Sequence, residues 1–281
     1  MTSVVVVAHH ERPEAAALAV TVCDWFIERG HKAWLTPADA EAIGLAGLAS
    51  DTDPASADLA VSLGGDGTML RTVQIADGVP ILGVNVGLLG YLAEVEPPAL
   101  ASALQRWLDG RYTIEERMML EIVLERREPA ERVRYRALNE AVIEKRQSGH
   151  TVRLLVSIDG SVFTSYATDG LIVATPTGST AYSLSARGPI VSPQHRALLL
   201  TPVSPHMLFD RSLVLDPDEP VRVEVLGPRP ADLSVDGFPM AGLTQGDAVS
   251  CRPAEEVARF VRFGARHFHQ ILKSKFGLAD R

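Results

Sequence analysis

The sequence predicts an α/β domain built on a parallel sheet, followed by a β-rich domain and a last helix that packs back on the first. Three observations predict it. Up to about residue 110, short apolar runs alternate with segments of helical spacing. From residue 111 to 261 the chain is a succession of short Val-, Ile- and Leu-rich stretches separated by turn residues. Helical spacing then returns in RHFHQILKSKFGL, 266–278. The expected domains are 1–110, with 262–281 packed on it, and 111–261.

Each element has its own signal. VVVVA at 4–8 is a continuous apolar run, as a doubly covered parallel strand requires. PEAAALAVTVCDWFIERG, 13–30, opens on a proline and closes on Gly30, a helix start and a C′ stop. DLAVSL at 58–63, TMLRTVQIA at 68–76, VPILGVN at 79–85 and PALASALQRWLDG at 98–110 continue the strand and helix alternation. The interval 42–57 reads as an irregular, mobile surface loop. In the second domain MLEIVLER, RYRALNEAVIEK, TVRLLVSI, SVFTSYA, LIVAT, SLVLD, VRVEVLG, DLSVDG and AVSCRP are the expected strands. Asp159-Gly160 marks a hairpin, because both of its turn positions need positive φ.

Composition narrows the function. The chain has 281 residues, 46% of them hydrophobic, enough for substantial cores. A net charge of −8 argues against a nucleic-acid surface as the main function, so anionic ligands must be met by local N–H groups and a few placed cations. The N-terminal apolar run is too short to span a bilayer and lacks the flanks of a leader, so no membrane association is expected. Two cysteines, Cys23 and Cys251, make neither a disulfide framework nor a zinc site, and a reducing, cytoplasmic compartment is the expectation. No metal-ligand set is expected from the histidines: His267 and His269 lie two apart in the last predicted helix, on different faces.

Two segments carry the chemistry. In LGGDGTML, 63–70, a strand runs through Gly64, Gly65, Asp66, Gly67 and Thr68 into a helix, the arrangement in which helix-terminal N–H groups hold an anion. Its spacing is neither that of the dinucleotide-binding glycine motif nor that of the P-loop. Asp66 is unfavourable beside phosphate unless it holds a cation or takes a proton from an attacking hydroxyl, and both tasks belong to phosphoryl transfer. A tight turn in which Asp66 or Thr68 only caps the helix is the alternative. In DGLIVATPTGSTAYSLSARGP, 169–189, a strand leads into a turn crowded with hydroxyls and then into AYSLSA in helical register. One helix needs one cap, so the surplus hydroxyls suit a ligand rich in hydroxyl and phosphate oxygens.

These motifs, with GVNVGLLGYL at 83–92, Asn139-Glu140 and SPH at 204–206, follow the order and approximate spacing of the NAD kinases, and the sequence resembles that family over nearly its whole length. The GGDG loop alone is shared with diacylglycerol and sphingosine kinases; TPTGSTAYSLSA is far more specific. The resemblance implies transfer of a phosphoryl group from ATP or polyphosphate, with Mg²⁺ or another divalent cation, to the 2′-hydroxyl of the adenosine ribose of NAD, giving NADP. It implies Asp66 as the base and Gly64, Gly65, Gly67 and Thr68 along the phosphates. It further implies Asn139 and Glu140 on the dinucleotide and Asp169 toward the nicotinamide end. Thr177, Thr180, Ala181, Tyr182, Ser183, Leu184 and Ser185 carry over from the TPTGSTAYSLS match, and Ser204 is expected beside adenosine. Arg71 and His150 are the expected cationic contacts, with Lys145 as a further candidate. Family members are commonly dimers or tetramers, which implies a homo-oligomer.

The pattern departs from the family at three positions: Arg187 where a glycine is usual, Val86 where an arginine is frequent, and Phe238 where a polar residue is usual. Arg187 would strain its turn if that turn needs positive φ. Such departures leave a non-catalytic dinucleotide-binding module as an alternative, and the shared GGDG loop leaves a lipid kinase as another; the intact Asp66 argues against the first and the TPTGSTAYSLSA turn against the second.

Overall fold

The computed structural model describes residues 1–87, 90–264 and 268–278; Leu88 and Leu89 of the GVNVGLLGYL motif and His267 lie outside the described residues. In chain order the elements are β1 (Ser3–Ala8), α1 (Pro13–Ile27), β2 (Lys32–Leu35), α2 (Pro37–Ala42), β3 (Leu59–Gly64), α3 (Asp66–Ala76), β4 (Ile81–Asn85) and α4 (Leu100–Leu108). They continue with β5 (Thr113–Arg126), β6 (Glu131–Ala137), β7 (Glu140–Lys145), β8 (Val152–Ile158), β9 (Ser161–Thr168), β10 (Gly170–Ala174) and α5 (Tyr182–Ser185). The last are β11 (Leu198–Val203), β12 (Leu213–Leu215), β13 (Val221–Val225), β14 (Ala231–Val235), β15 (Phe238–Leu243), β16 (Ala248–Arg262) and α6 (Phe268–Lys275). The chain forms two compact units: Met1–Glu116 with the segment that begins at Ala258, and Arg117–Val257.

In the first unit β2, β1, β3 and β4 pair in parallel in that order, and Phe260 near the end of β16 pairs in parallel with Ile81. Val4 to Val7 are wholly buried because both faces of the sheet are covered. One face packs on α1 and α4 through Val6, Ala19, Phe26, Leu63, Leu104 and Trp107. Burying each of the larger of these side chains contributes about 2 kcal/mol. Gly30, at φ +76, ends α1 as expected. The short β2 and α2 were not foreseen, since four and six residues are too few to show a period. The loop 42–57 holds two single 3-10 turns and is tied to β2 where the Ser50 N–H donates to the Leu35 carbonyl. After β4, the Tyr91 ring lies under the Lys275 ammonium of α6, 4.9 Å from its centroid.

The second unit is built from antiparallel strands. One sheet runs β12-β11-β10-β7-β14-β15, and β16, β13, β8 and β9 pair in succession in the other, with β5 and β6 paired beside them. The core lies between inward faces: Ile143, Leu171, Val173 and Leu233 from the first set, Leu120, Val156, Val223 and Cys251 from the second. Asp159 and Gly160 both have positive φ, at +47 and +71, and close the β8–β9 hairpin. Two strands were missed, β11 and β15, because each contains a proline. Pro202 lies past the last β11–β12 pair, Leu200↔Leu213, and Pro239 is on an edge strand, so neither removes a needed ladder bond. RYRALNEAVIEK, expected as one strand, breaks at Leu138-Asn139. AYSLSA, expected to be a longer helix, holds the single turn Tyr182–Ser185.

Candidate functional site

In the first unit the GGDG loop joins the carboxyl end of β3 to α3, with Gly65 at the cap and Asp66 the first helical residue. A Cβ on Gly64 would stand 2.2 Å from Thr68 Oγ1, so only glycine lets the buried Thr68 fold back beneath the loop. Behind it the Thr72 hydroxyl lies 2.8 Å from the Thr68 carbonyl and 2.9 Å from Ser62 Oγ, which ties the first turn of α3 to β3. Gly67 is exposed and open at its Cβ position. The first N–H groups of α3 have no partner within the helix and are free to meet an anion.

Asp66 is held from the loop after β4. Its Oδ2 accepts the Tyr91 backbone N–H at 2.9 Å and its Oδ1 accepts that of Leu92 at 3.0 Å. Gly90 makes room, because a Cβ there would lie 2.2 Å from Oδ1. A carboxylate accepts at both oxygens and has lone pairs left after these bonds, so Asp66 is oriented and still able to accept a proton. In the same loop the carbonyl of Val86, whose own side chain is buried, accepts Nη1–H from Arg12.

Arg71, expected to reach a phosphate, has its guanidinium engaged. Nη2 donates to the Ala8 carbonyl and Nη1 donates to Asp39 Oδ1 beside the His10 ring. Its ionic partner is therefore a buried carboxylate of α2.

In the second unit the Leu138–Glu140 bend is gripped from two sides. Asp236, in the Asp-Gly turn between β14 and β15, accepts the N–H groups of Leu138 (2.8 Å), Asn139 (2.7 Å) and Glu140 (3.2 Å). This carboxylate replaces ladder bonds, which is why the expected single strand breaks there. From the other side Thr175 N–H donates to the Asn139 carbonyl at 2.8 Å and its hydroxyl to the Leu138 carbonyl at 2.6 Å. Gly178 packs on the same backbone, where a Cβ would lie 2.3 Å from the Asn139 carbonyl oxygen. The hydroxyl-rich turn and Asn139-Glu140 are thus one assembly.

Glu140 is buried, and its Oε2 finds no hydrogen-bond partner in the structure. Burial first, and the negative Asp236 second, push its carboxyl up to about 8, while the Tyr182 backbone N–H acts the other way. In this setting Glu140 keeps a proton at neutral pH and can donate a hydrogen bond as well as accept one. Lys145 Nζ holds Asp169 Oδ1 at 2.7 Å, and Ser204 follows Val203, whose carbonyl accepts the Asp169 N–H. Tyr182 is partly exposed, and its phenol is raised by burial and then by Glu144 and Asp169. Asn139, Glu140, Tyr182, Lys145, Asp169 and Ser204 are in this way linked.

The remaining expected residues divide. Thr177 is buried, its Oγ1 3.3 Å from Arg117 Nη1, and the Thr180 hydroxyl donates to the Thr177 carbonyl at 3.3 Å. Ala181 and Leu184 are half-buried and Ser185 is exposed on the single turn of α5. Ser183 is wholly buried, 3.0 Å from Thr201 Oγ1, with Gly188 packed against it, so its side chain faces the interior and not a ligand. His150 is exposed in the turn before β8. Arg187 sits at φ +67, as the strain argument anticipates.

Comparison with known proteins shows the family. Residues 44–112 fit the family described as ATP-NAD kinase N-terminal domain, and residues 138–263 the ATP-NAD kinase C-terminal domain. An NAD kinase of Heliobacterium modesticaldum is 43% identical over 98% of this chain and 98% of its own. The chain belongs to the ATP-NAD kinase family. A second family member, the NAD kinase of Syntrophotalea carbinolica, is 37% identical over the whole of both chains. Among solved structures, yeast NADH kinase complexed with NADH superposes with a TM-score of 0.84 at 26% identity, covering 100% of this chain and 89% of that one. The NAD kinase of Archaeoglobus fulgidus in complex with ATP, at 22% identity, TM-score 0.74 and full coverage of both chains, shares the fold.

The family motifs pointed to Asp66 and Asn139-Glu140 but not to the residues that hold them. Asp236 could have been singled out from its Asp-Gly turn. Asp39 could have been singled out from Thr36-x-x-Asp39, a helix-capping pattern. Gly90 carried no signal beyond being a glycine.

Proposed function

We propose that the chain transfers the terminal phosphoryl group of ATP or polyphosphate to the 2′-hydroxyl of the adenosine ribose of NAD, giving NADP. The observation that carries this reading is Asp66, a carboxylate at the first residue of α3 oriented by two backbone N–H groups while its remaining lone pairs stay available. Asp66 accepts the hydroxyl proton as the acceptor oxygen attacks phosphorus and the bond to the departing phosphate breaks. With a loose transition state, orienting the hydroxyl contributes as much as basicity. Gly64, Gly65, Gly67 and Thr68 line the donor phosphates with N–H groups of the loop and of the first turn of α3. Asn139, Glu140, Tyr182 and Asp169 bind the dinucleotide, with Thr177, Thr180, Ala181, Leu184, Ser185 and Ser204 as flanking contacts, and His150 as an outer cationic one.

Mg²⁺ or another divalent cation enters as part of the donor substrate, carried by the phosphate oxygens. Among the described residues no three His, Cys, Asp or Glu side chains converge to hold an ion of their own, and Mg²⁺ is commonly bound through substrate phosphates and one or two carboxylates. We assign the reaction to the cytoplasm. Buried, unpaired Cys23 and Cys251, each pushed up to about 12 chiefly by burial, suit a reducing compartment. Among the described residues no helix is long and apolar enough to cross a membrane. A homo-oligomer, dimer or tetramer, is the expected assembly; the open edge of β9 with exposed Val162 and Phe163 supports it.

The test is a coupled assay: protein with NAD, Mg²⁺ and either ATP or polyphosphate, the product read by an NADP-specific dehydrogenase. NADP with at least one donor, and its loss in Asp66→Asn, is the expected result. NAD binding without NADP from either donor would sink the reading and leave a non-catalytic binding module.

A further inference from the structure

We infer that Asp39 is a positioning residue for the phosphoryl donor, holding Arg71 and His10 as a fixed pair beside the GGDG loop. The inference rests on the kinase reading above. Asp39, on α2, is 2% exposed although it is a carboxylate, and it is packed into a cluster of polar groups. Its Oδ2 accepts the Thr36 hydroxyl at 3.2 Å, which closes the cap of α2. Its Oδ1 meets His10 Nε2 at 2.6 Å and the Arg71 guanidinium. Capping α2 uses one oxygen; the other is spent on two cationic or cation-capable side chains from elsewhere in the chain.

The place of the cluster gives it a function. Ala8, whose carbonyl anchors Arg71 Nη2, ends β1 and is paired with Leu63, the residue before Gly64. His10 comes from the loop after β1 and Asp39 from the helix after β2. All lie at the carboxyl end of the parallel strands, where ligands of open α/β sheets bind. Arg71 stands four residues after Gly67, on the same face of α3, and helical side chains lean toward the N-terminus, which carries Arg71 toward the exposed glycine. A guanidinium free to swing would lose rotamer entropy on meeting a phosphate. Pinned by Asp39 and the Ala8 carbonyl, it has already lost that freedom and keeps Nε–H and its remaining N–H groups for an anion. His10, half-exposed, is held through Nε2.

The test separates donor from acceptor. With NAD saturating and MgATP varied, Asp39→Asn should raise the KM for MgATP about tenfold, the loss of one charge-assisted contact, with a smaller change in kcat and in the KM for NAD. Arg71→Gln should give the same split, and the double variant should be no worse than the poorer single one. Because a buried carboxylate can matter for folding, thermal melts accompany the kinetics, and Arg71→Gln, on a partly exposed side chain, stands in if Asp39→Asn does not fold. An unchanged donor KM in folded Asp39→Asn or Arg71→Gln overturns the inference, as does an equal rise in the two substrate KM values. Absence of NADP from the unmodified protein would instead count against the kinase reading itself.

Discussion

Gly90 and Asp66 are in such close approach that a Cβ on the glycine would stand 2.2 Å from the carboxylate Oδ1. The atom in the way is the end of a movable side chain, so Gly90→Ala is expected to fold, with Asp66 turned away from the Tyr91 and Leu92 N–H groups. A displacement of this size at a reacting group costs on the order of a hundredfold in turnover. Steady-state kinetics should show kcat falling by that order, while NAD affinity by calorimetry changes little. Full turnover in the alanine variant would remove the need for an oriented Asp66.

Gly178 offers the contrast. A Cβ there meets the Asn139 carbonyl oxygen at 2.3 Å and its carbonyl carbon at 2.6 Å, and backbone cannot rotate aside. Gly178→Ala must therefore push the hydroxyl-rich turn off the Leu138–Glu140 bend, at about 1–3 kcal/mol of overpacking. Urea denaturation should register that loss, and the KM for NAD should rise in the same variant.

Glu140 gives stability a pH dependence with a definite sign. Burial and Asp236 raise its carboxyl to about 8, so between the ordinary carboxylate range and that value the native chain keeps a proton that the unfolded chain has released. Stability then falls as pH rises through this window, by at most about 1.4 kcal/mol per pH unit, and levels off above it. Glu140→Gln removes the contribution. The melting temperature of the variant relative to the parent should climb from about pH 5 to about pH 8 and then hold. A constant difference across that range would mean that Glu140 is ionised throughout.

Arg187, exposed at φ +67, bears a left-handed backbone that a glycine adopts without steric cost. Arg187→Gly should stabilise the protein by about 1 kcal/mol, the αL penalty less the added freedom of the unfolded chain. A higher denaturant midpoint with unchanged slope is the expected signature.

Much of the fold was legible because its signals are local. The continuous apolar run of β1 and the helical spacing of α1 and α4 report elements long enough to show a period. The Asp159-Gly160 turn reports itself through the φ values it demands. Elements of four to six residues such as β2 and α2 escaped because they are too short to show a period, and β11 and β15 because each carries a proline, which reads as a strand breaker. The same division runs through the site. The GGDG loop and TPTGSTAYSLSA are contiguous motifs and could be read directly. Asp236 acts on residues 96 to 98 positions away, Asp39 on Arg71 32 positions away, and Ser183 points inward because Gly188 and Thr201 close over it.

By itself the sequence determined the alternation of strand and helix in the first unit and the strand-rich character of the second, the family, and which residue types could perform phosphoryl transfer, because each is carried by spacing along the chain. Only the tertiary structure decided that Asp66 is oriented by the N–H groups of Tyr91 and Leu92, that Arg71 is committed to Asp39, and that Glu140 is buried beside Asp236. Hydrogen-bond partners and burial depend on which distant segments strand pairing and helix packing bring together, and one-dimensional spacing does not contain them.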